Sequence, residues 1–156
     1  MAAPNIYLRT AIYKLSCIDP DVSEIYIGST TNIQKRLNQH KCGCTNPYNP
    51  KHNYKLYRYI RDNQGWARWR IDVIELFPCN SKIEAAERER FWIQQRGATL
   101  NCQLPARTAE EKRIYSIDST KRWMHDNREH WNEYMRNYSA KKRLLQKLMQ
   151  QAGAAV

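Results

Sequence analysis

AIYKLSCIDPDVSEIYIGSTTNIQKRLNQH, residues 11–40, decides how this chain folds. It holds two Ile-Tyr pairs, Ile12-Tyr13 and Ile25-Tyr26, each inside a short apolar run, with the turn-prone DPDVS between them. Period-2 alternation and β-branched residues predict two strands, Ile6–Cys17 and Glu24–Ile27, joined as a hairpin. Gly28 then serves a turn or a close backbone approach, and Gly28 to Asn32 end the second strand. Asn32 is a fitting N-cap for a helix over 33–41. On that helix Arg36 and His40 stand four apart and share a face. Two phenols, a guanidinium and an imidazole are thereby gathered at one rim of a small sheet.

This spacing resembles the GIY-YIG nuclease family. Ala11-Ile12-Tyr13 stands at the first triplet, with Ala in place of Gly, and Tyr26-Ile27-Gly28 matches the second letter for letter. Arg36 lies ten residues after Tyr26, and His40 four after that. Glu87-Arg88-Glu89-Arg90-Phe91-Trp92-Ile93 is similar to the family's metal-binding helix, with Glu89 as the ligand, and Asn101 follows twelve residues later. The resemblance spans Ile6 to Asn101. It implies a DNA-cleaving phosphodiesterase with Tyr13, Tyr26, Arg36, His40, Glu89 and Asn101 at its site. It also implies one Mg²⁺ or Mn²⁺ per site, held by Glu89.

At 156 residues the chain is long enough for one cored domain and an appendage. Lys and Arg number 26 against 15 Asp and Glu, a net charge of +11, which favours a polyanionic partner through counterion release. The excess is shared, +6 over residues 1–106 and +5 over 107–156. Mean hydropathy is −0.84 and no run approaches a membrane span, so no membrane partner is expected. The N-terminus lacks the layout of a signal peptide, so an intracellular location, cytoplasm or nucleus, is expected. Five cysteines, an odd number, are expected as reduced thiols. Cys42-Gly43-Cys44 with His52 hints at zinc, but Cys-x-Cys is an unusual spacing for a structural site, and loop and core thiols are the better reading.

Residues 42–53 read as a connector of variable conformation, which could lie over the active site or touch DNA through Tyr48 and Lys51. A helix is predicted over Tyr54–Asn63 and a third strand over Trp69–Phe77. Ser81, with Glu84 in a capping box, starts a helix running to Arg96. Ile83, Ala86, Phe91 and Trp92 are expected to face the sheet. The sum is an α+β domain, a small three-stranded antiparallel sheet flanked by helices, over residues 1–106.

Residues 107–156 form a basic, aromatic-rich helical extension with a weak point expected near Ser116–Thr120. Trp123 and Tyr134 recur eleven apart, close to three helical turns, and Trp131 and Tyr138 adjoin that stripe. The extension has three readings. It packs on the domain or pairs two copies as a homodimer; it tracks phosphates through Arg122, Arg128, Arg136, Lys141, Lys142 and Arg143; or it is a solvated tail.

Hydrolysis of a phosphodiester needs an activated water, a cation against the growing phosphoryl charge, and help for the leaving oxygen. Arg36 suits the phosphate. A free phenol titrates near pH 10, so a tyrosine base needs positive neighbours, for which Arg36, Lys14 and Lys35 are candidates. Tyr13 is the expected base and Tyr26 its partner, with the roles exchangeable; His40 takes or relays the proton, or positions the hydroxyl. Lys14, Lys35 and Lys51 are also candidate DNA contacts. A silent DNA-binding module and a structure-specific repair or recombination nuclease are the rival functions.

Overall fold

The computed structural model describes residues 4–153. Its contacts divide the chain into two units with the boundary between Ala106 and Arg107.

In the first unit three strands form one antiparallel sheet, β1 (Ala11–Cys17), β2 (Ile25–Thr30) and β3 (Trp69–Leu76), in the order β2-β1-β3. The central strand is covered on both faces, which is why its sequence is apolar at almost every position. Tyr13 stands opposite Gly28, and Leu15 opposite Tyr26. A register shift against β3 falls between Ile12 and Tyr13, a bulge immediately beside the first site tyrosine.

Alternation sends successive β1 side chains to opposite faces. Leu15 and Cys17 join Cys44, Leu56, Tyr57, Ile60, Trp69 and Leu100, the core made with helices α1 (Ile33–Thr45) and α2 (Lys55–Asp62). Ile12 joins Ile27 and Ile93 under helix α3 (Lys82–Arg96). Ile12, Leu15, Ile27 and Ile60 are fully buried, each contributing roughly 1.5–3 kcal/mol of transfer free energy.

Several element boundaries differ from expectation. Ile6–Arg9 is a 3-10 turn capped by Asn5, not strand, and β2 runs on through Gly28-Ser29-Thr30 instead of ending before them. Helix α1 continues to Thr45, because Gly43 and Cys44 are buried in the core; Gly43 is not a breaker. A Cβ on Gly43 would lie 2.6 Å from the Tyr57 ring, so the glycine makes room for that aromatic.

Helix α3 starts at Ser81, whose hydroxyl accepts from Glu84 N; the Glu84 carboxylate accepts in return from Asn80 N and the Ser81 hydroxyl. Gly97 ends it in the left-handed region at φ 58°. Its inward face is Ala85 and Ile93, with Trp92 partly buried, whereas Ile83 and Phe91 are exposed. The helix is thus rotated from the expected face. Arg88 donates two bonds to Glu75 on β3, at 2.7 and 2.8 Å, and Trp92 Nε1 donates a third at 2.6 Å.

The second unit comprises helices α4 (Ala109–Asp126) and α5 (Arg128–Gly153). Thr108 and Glu111 form a complete capping box at the start. The break is at Asn127, not near Ser116–Thr120: Asn127 N and Nδ2 both return to Trp123 O, at 2.9 Å each. The Thr120 hydroxyl bonds back to Ser116 O at 2.8 Å and leaves the helix intact there. Rings of Trp123, Trp131, Tyr134 and Tyr138 contact one another in sequence. No helix among the described residues is long and apolar enough to cross a membrane.

Candidate active site

Helix α1 begins where the Asn32 side chain accepts from Lys35 N at 2.8 Å, and that start fixes which residues face the sheet. Arg36 and His40, one turn apart, both reach the hydroxyl of Tyr13. Arg36 Nε donates to it at 2.8 Å, and His40 Nε2 lies 2.9 Å from it. The Tyr57 hydroxyl sits 3.2 Å from the other imidazole nitrogen, Nδ1. With Arg36 donating to the Tyr13 oxygen, the Tyr13 hydrogen goes to Nε2, and Nδ1–H then donates to Tyr57. Tyr26 packs its ring 6.2 Å from that of Tyr13 and 5.5 Å from His40.

Burial sets the protonation of this group. It pushes the Tyr13 phenol far above its ordinary value, Tyr26 adds to that, and Arg36 opposes it. Tyr26 is raised too, by burial and then by Glu89, again against Arg36. His40 is driven down to about 3 by burial, then by the charges of Arg36 and Lys51, so it is a neutral imidazole at pH 7. For Arg36 burial works against the charge, but the two phenols outweigh it and the guanidinium stays ionised.

The acid comes from the other face of the sheet. β2 is an edge strand, and its outward backbone groups at residues 25, 27 and 29 have no neighbouring strand. Each is satisfied differently. Ile25 O accepts from Leu100 N at 3.2 Å. Ile27 exchanges two bonds with the Asn101 side chain, N–H to Oδ1 at 3.0 Å and Nδ2 to C=O at 2.7 Å. Ser29 donates its N–H and its hydroxyl to Glu89 Oε2, at 2.9 and 2.6 Å. Asn101 thus takes the place of a fourth strand, and Glu89 is held against β2 beside the second tyrosine's strand segment. Burial raises the Glu89 carboxyl, while Ser29 and Arg36 pull it back.

One cavity of about 550 Å³ joins these parts, lined by Tyr26, Arg36, His40, Lys51, Glu89 and Asn101 among others. Tyr13 is completely buried, bonded to two cavity residues without itself lining it. Of the two phenols expected at the rim, Tyr26 alone lines the cavity. Lys14 does not join: it projects from the opposite face of β1 and pairs with Asp72 at 3.6 Å. Lys35 is exposed and lines a shallow outer depression with Asn32 and Gln39. Neither lysine acts on the Tyr13 phenol; Arg36 does. Arg122 pairs with Asp118 at 2.7 Å, and Arg128, Arg136, Lys141, Lys142 and Arg143 are exposed in the second unit.

Ser29, Tyr57 and Gly43 take part in the site's support and escape a reading of the sequence by motif. The serine hydroxyl beside a free strand edge was the available signal for the first. Tyr57 and Gly43 carry none, since their partners come from separate elements.

The donors present fit a hard divalent ion. Both Ser29 bonds go to Oε2 of Glu89, so Oε1 is available to a ligand, and a lone carboxylate suits Mg²⁺ or Mn²⁺, which keep waters and take oxygens from substrate. Among the described residues no group of three or more His, Cys, Asp or Glu could hold a metal. Cys44 is in the core and His52 Nδ1 faces Arg61 at 3.3 Å, so the three candidate zinc ligands do not converge.

Comparison with known families matches residues 9–101 to the GIY-YIG catalytic domain. No curated protein matches the chain. Among solved structures, it is similar to the catalytic domain of homing endonuclease I-TevI, at 23% identity and a TM-score of 0.45, over 59% of this chain and 92% of that one. The family match covers more than half of the sequence and contains both tyrosine triplets, Arg36, His40, Glu89 and Asn101. This chain belongs to the GIY-YIG family, and its residues 9–101 are a catalytic domain of nuclease fold.

Proposed function

We propose that the protein is a metal-dependent DNA endonuclease that hydrolyses a phosphodiester in one step, without a covalent enzyme intermediate. The observation that carries this reading is the shared cavity: Tyr26, Arg36, His40 and Glu89 line it, and Tyr13 is bonded to two of them. Glu89 Oε1 and the substrate phosphate would hold Mg²⁺ or Mn²⁺. When bound, that ion supplies charge against the developing phosphoryl and leaving oxygens.

Arg36 stabilises the scissile phosphate and, at the same time, the anionic form of the phenols. Tyr26, as the cavity-facing member, contacts the attacking water. Tyr26 accepts the water's proton as the phenolate, its own proton having passed to solvent through the cavity beforehand, so the expected order of the two tyrosines is exchanged. His40, neutral at pH 7, orients the Tyr13 hydroxyl as a hydrogen-bond acceptor; it is too weak a base to hold the proton. The water oxygen bonds to phosphorus as the bond to the 3′ oxygen breaks, and that oxygen is protonated from solvent. Asn101 positions β2 and does no chemistry.

The test is incubation of purified protein with plasmid and branched DNA, in Mg²⁺ or EDTA, beside Arg36→Ala and Glu89→Ala. Cleavage that needs Mg²⁺ and both residues is expected. Binding without cleavage would make the chain a silent DNA-binding module, and cleavage of branched DNA alone a structure-specific nuclease.

A single site cuts one strand. The exposed Trp123, Tyr134, Tyr138 and Leu145 of the second unit favour a homodimer through that unit as the route to a double-strand break. Arg136 and Arg143, seven apart, share a helix face that would contact phosphates. A monomer in gel filtration at every concentration, with and without DNA, would discard the dimer.

A further inference from the structure

The segment between α1 and α2 is built, not the slack connector expected from its composition. Asn46 and Asn49 each accept from a backbone N–H two residues on, at Tyr48 (3.0 Å) and Lys51 (2.9 Å). His52 N returns to Asn49 O and Tyr54 N to Lys51 O, at 2.9 Å each. Arg61 Nη1 ties the segment down, donating to His52 O at 2.8 Å and to Cys44 O at 3.3 Å. These bonds present Lys51, Tyr54 and Lys55 to the cavity that also contains Tyr26, Arg36 and Glu89.

The two lysines differ from Arg36 in being uncommitted. The Arg36 charge is shared with two phenols. No ion pair to a carboxylate holds Lys51 or Lys55 among the described residues. Lys55 Nζ donates once, to Thr99 O at 3.0 Å, leaving two of its three hydrogens. Lys51 lies near enough for its charge to act on His40. At roughly 30 Å³ per water, the cavity of about 550 Å³ has room for more than one phosphate group.

We infer that Lys51 and Lys55, on this preformed wall, bind the phosphate next to the scissile one, with Tyr54 against the sugar between them. The inference rests on the nuclease reading and adds a second anchoring point to it: Arg36 serves the reacting phosphate, the lysines its neighbour. Two consecutive phosphates fix the strand's direction through the cavity, so the lysines are positioning residues. Their loss acts on affinity before rate.

The test uses the full chain and a fluorescent duplex in EDTA, with affinity measured across a salt series. Lys51→Ala and Lys55→Ala should each reduce the slope of log K against log salt, and the double variant should reduce it by about 0.9, the value for one phosphate contact. A duplex carrying one neutral methylphosphonate beside the cut position should weaken wild type most, each lysine variant less, and the double variant not at all. In Mg²⁺, the variants should need more DNA to saturate, with the saturated single-turnover rate within about threefold of wild type. Lys55→Arg should restore the slope. Unchanged slopes, or a methylphosphonate penalty as large in the variants as in wild type, overturn the subsite. Because Lys51 has no side-chain bond to lose among the described residues, its variant decides the matter even where Lys55→Ala melts early. Failure of wild type to cut in Mg²⁺ overturns the nuclease reading and leaves the salt slopes to be read independently.

Discussion

The ring of Tyr13 lies over Gly28, its cross-strand partner, so closely that a Cβ on Gly28 would sit 2.6 Å from Tyr13 Cζ. Substitution of Gly28 by Ala therefore displaces the buried phenol from Arg36 and His40. Overpacking of this kind costs roughly 1–3 kcal/mol. Gly28→Ala should fold with a lowered melting temperature and lose most cleavage, whereas Ala11→Gly, at a position without positive φ, should retain it. Calorimetry and a plasmid-nicking assay check both.

Ser29 holds Glu89 by two donors on a single oxygen. Ser29→Ala removes the hydroxyl bond and keeps the backbone one. Loss of such an outer partner typically weakens a metal by 10–100-fold. The Mg²⁺ concentration for half-maximal cleavage should rise by about that factor, with little change in rate once saturated. A variant with wild-type Mg²⁺ dependence would exclude this role.

Asn101 fills both backbone positions of Ile27 at the sheet edge. Asn101→Ala leaves an N–H and a C=O to water or unpaired, at a cost of about 1–3 kcal/mol for a buried group. Asn101→Asp keeps the acceptor and loses the donor, so it should fall between wild type and Ala in thermal stability. Hydrogen exchange at the Ile27 amide should accelerate most in Asn101→Ala, which removes its acceptor.

His40 titrates near 6.5 when unfolded and at about 3 when folded. The folded state therefore binds fewer protons, and stability is complete above pH 6.5 and lost as pH falls towards 3. At about 1.36 kcal/mol per pH unit, the loss approaches roughly 5 kcal/mol as an upper bound. Denaturation from pH 7 to 4 should show a steep decline in wild type and a flatter one in His40→Gln. Parallel profiles would refute the buried neutral imidazole.

Much of this molecule was legible in one dimension. The hairpin, the Asn32 and Ser81 caps and the Arg36–His40 spacing are local, and each follows from turn chemistry or helical period. Glu89, placed at the site by the family resemblance, also carries a local signal: it stands four residues after Ala85 and four before Ile93, in line with both buried residues of α3. What could not be read was contact across elements. Gly43 looks like a stop until Tyr57 arrives against it from α2. Ser29 looks like a strand end until a helix from the far side supplies its acceptor. The order of the two tyrosines depends on which is exposed to the cavity, a property of the packed sheet and not of either triplet.

The row of partners along the β2 border ties inheritance of shape to inheritance of activity. A descendant that discards the Glu89 carboxyl also unplugs Ser29 and bares a length of sheet to other chains. Under the proposed nuclease function, loss of cleavage is thus easiest through Arg36 or the phenols, and a dormant copy of this gene product should still carry an acid or an amide at position 89.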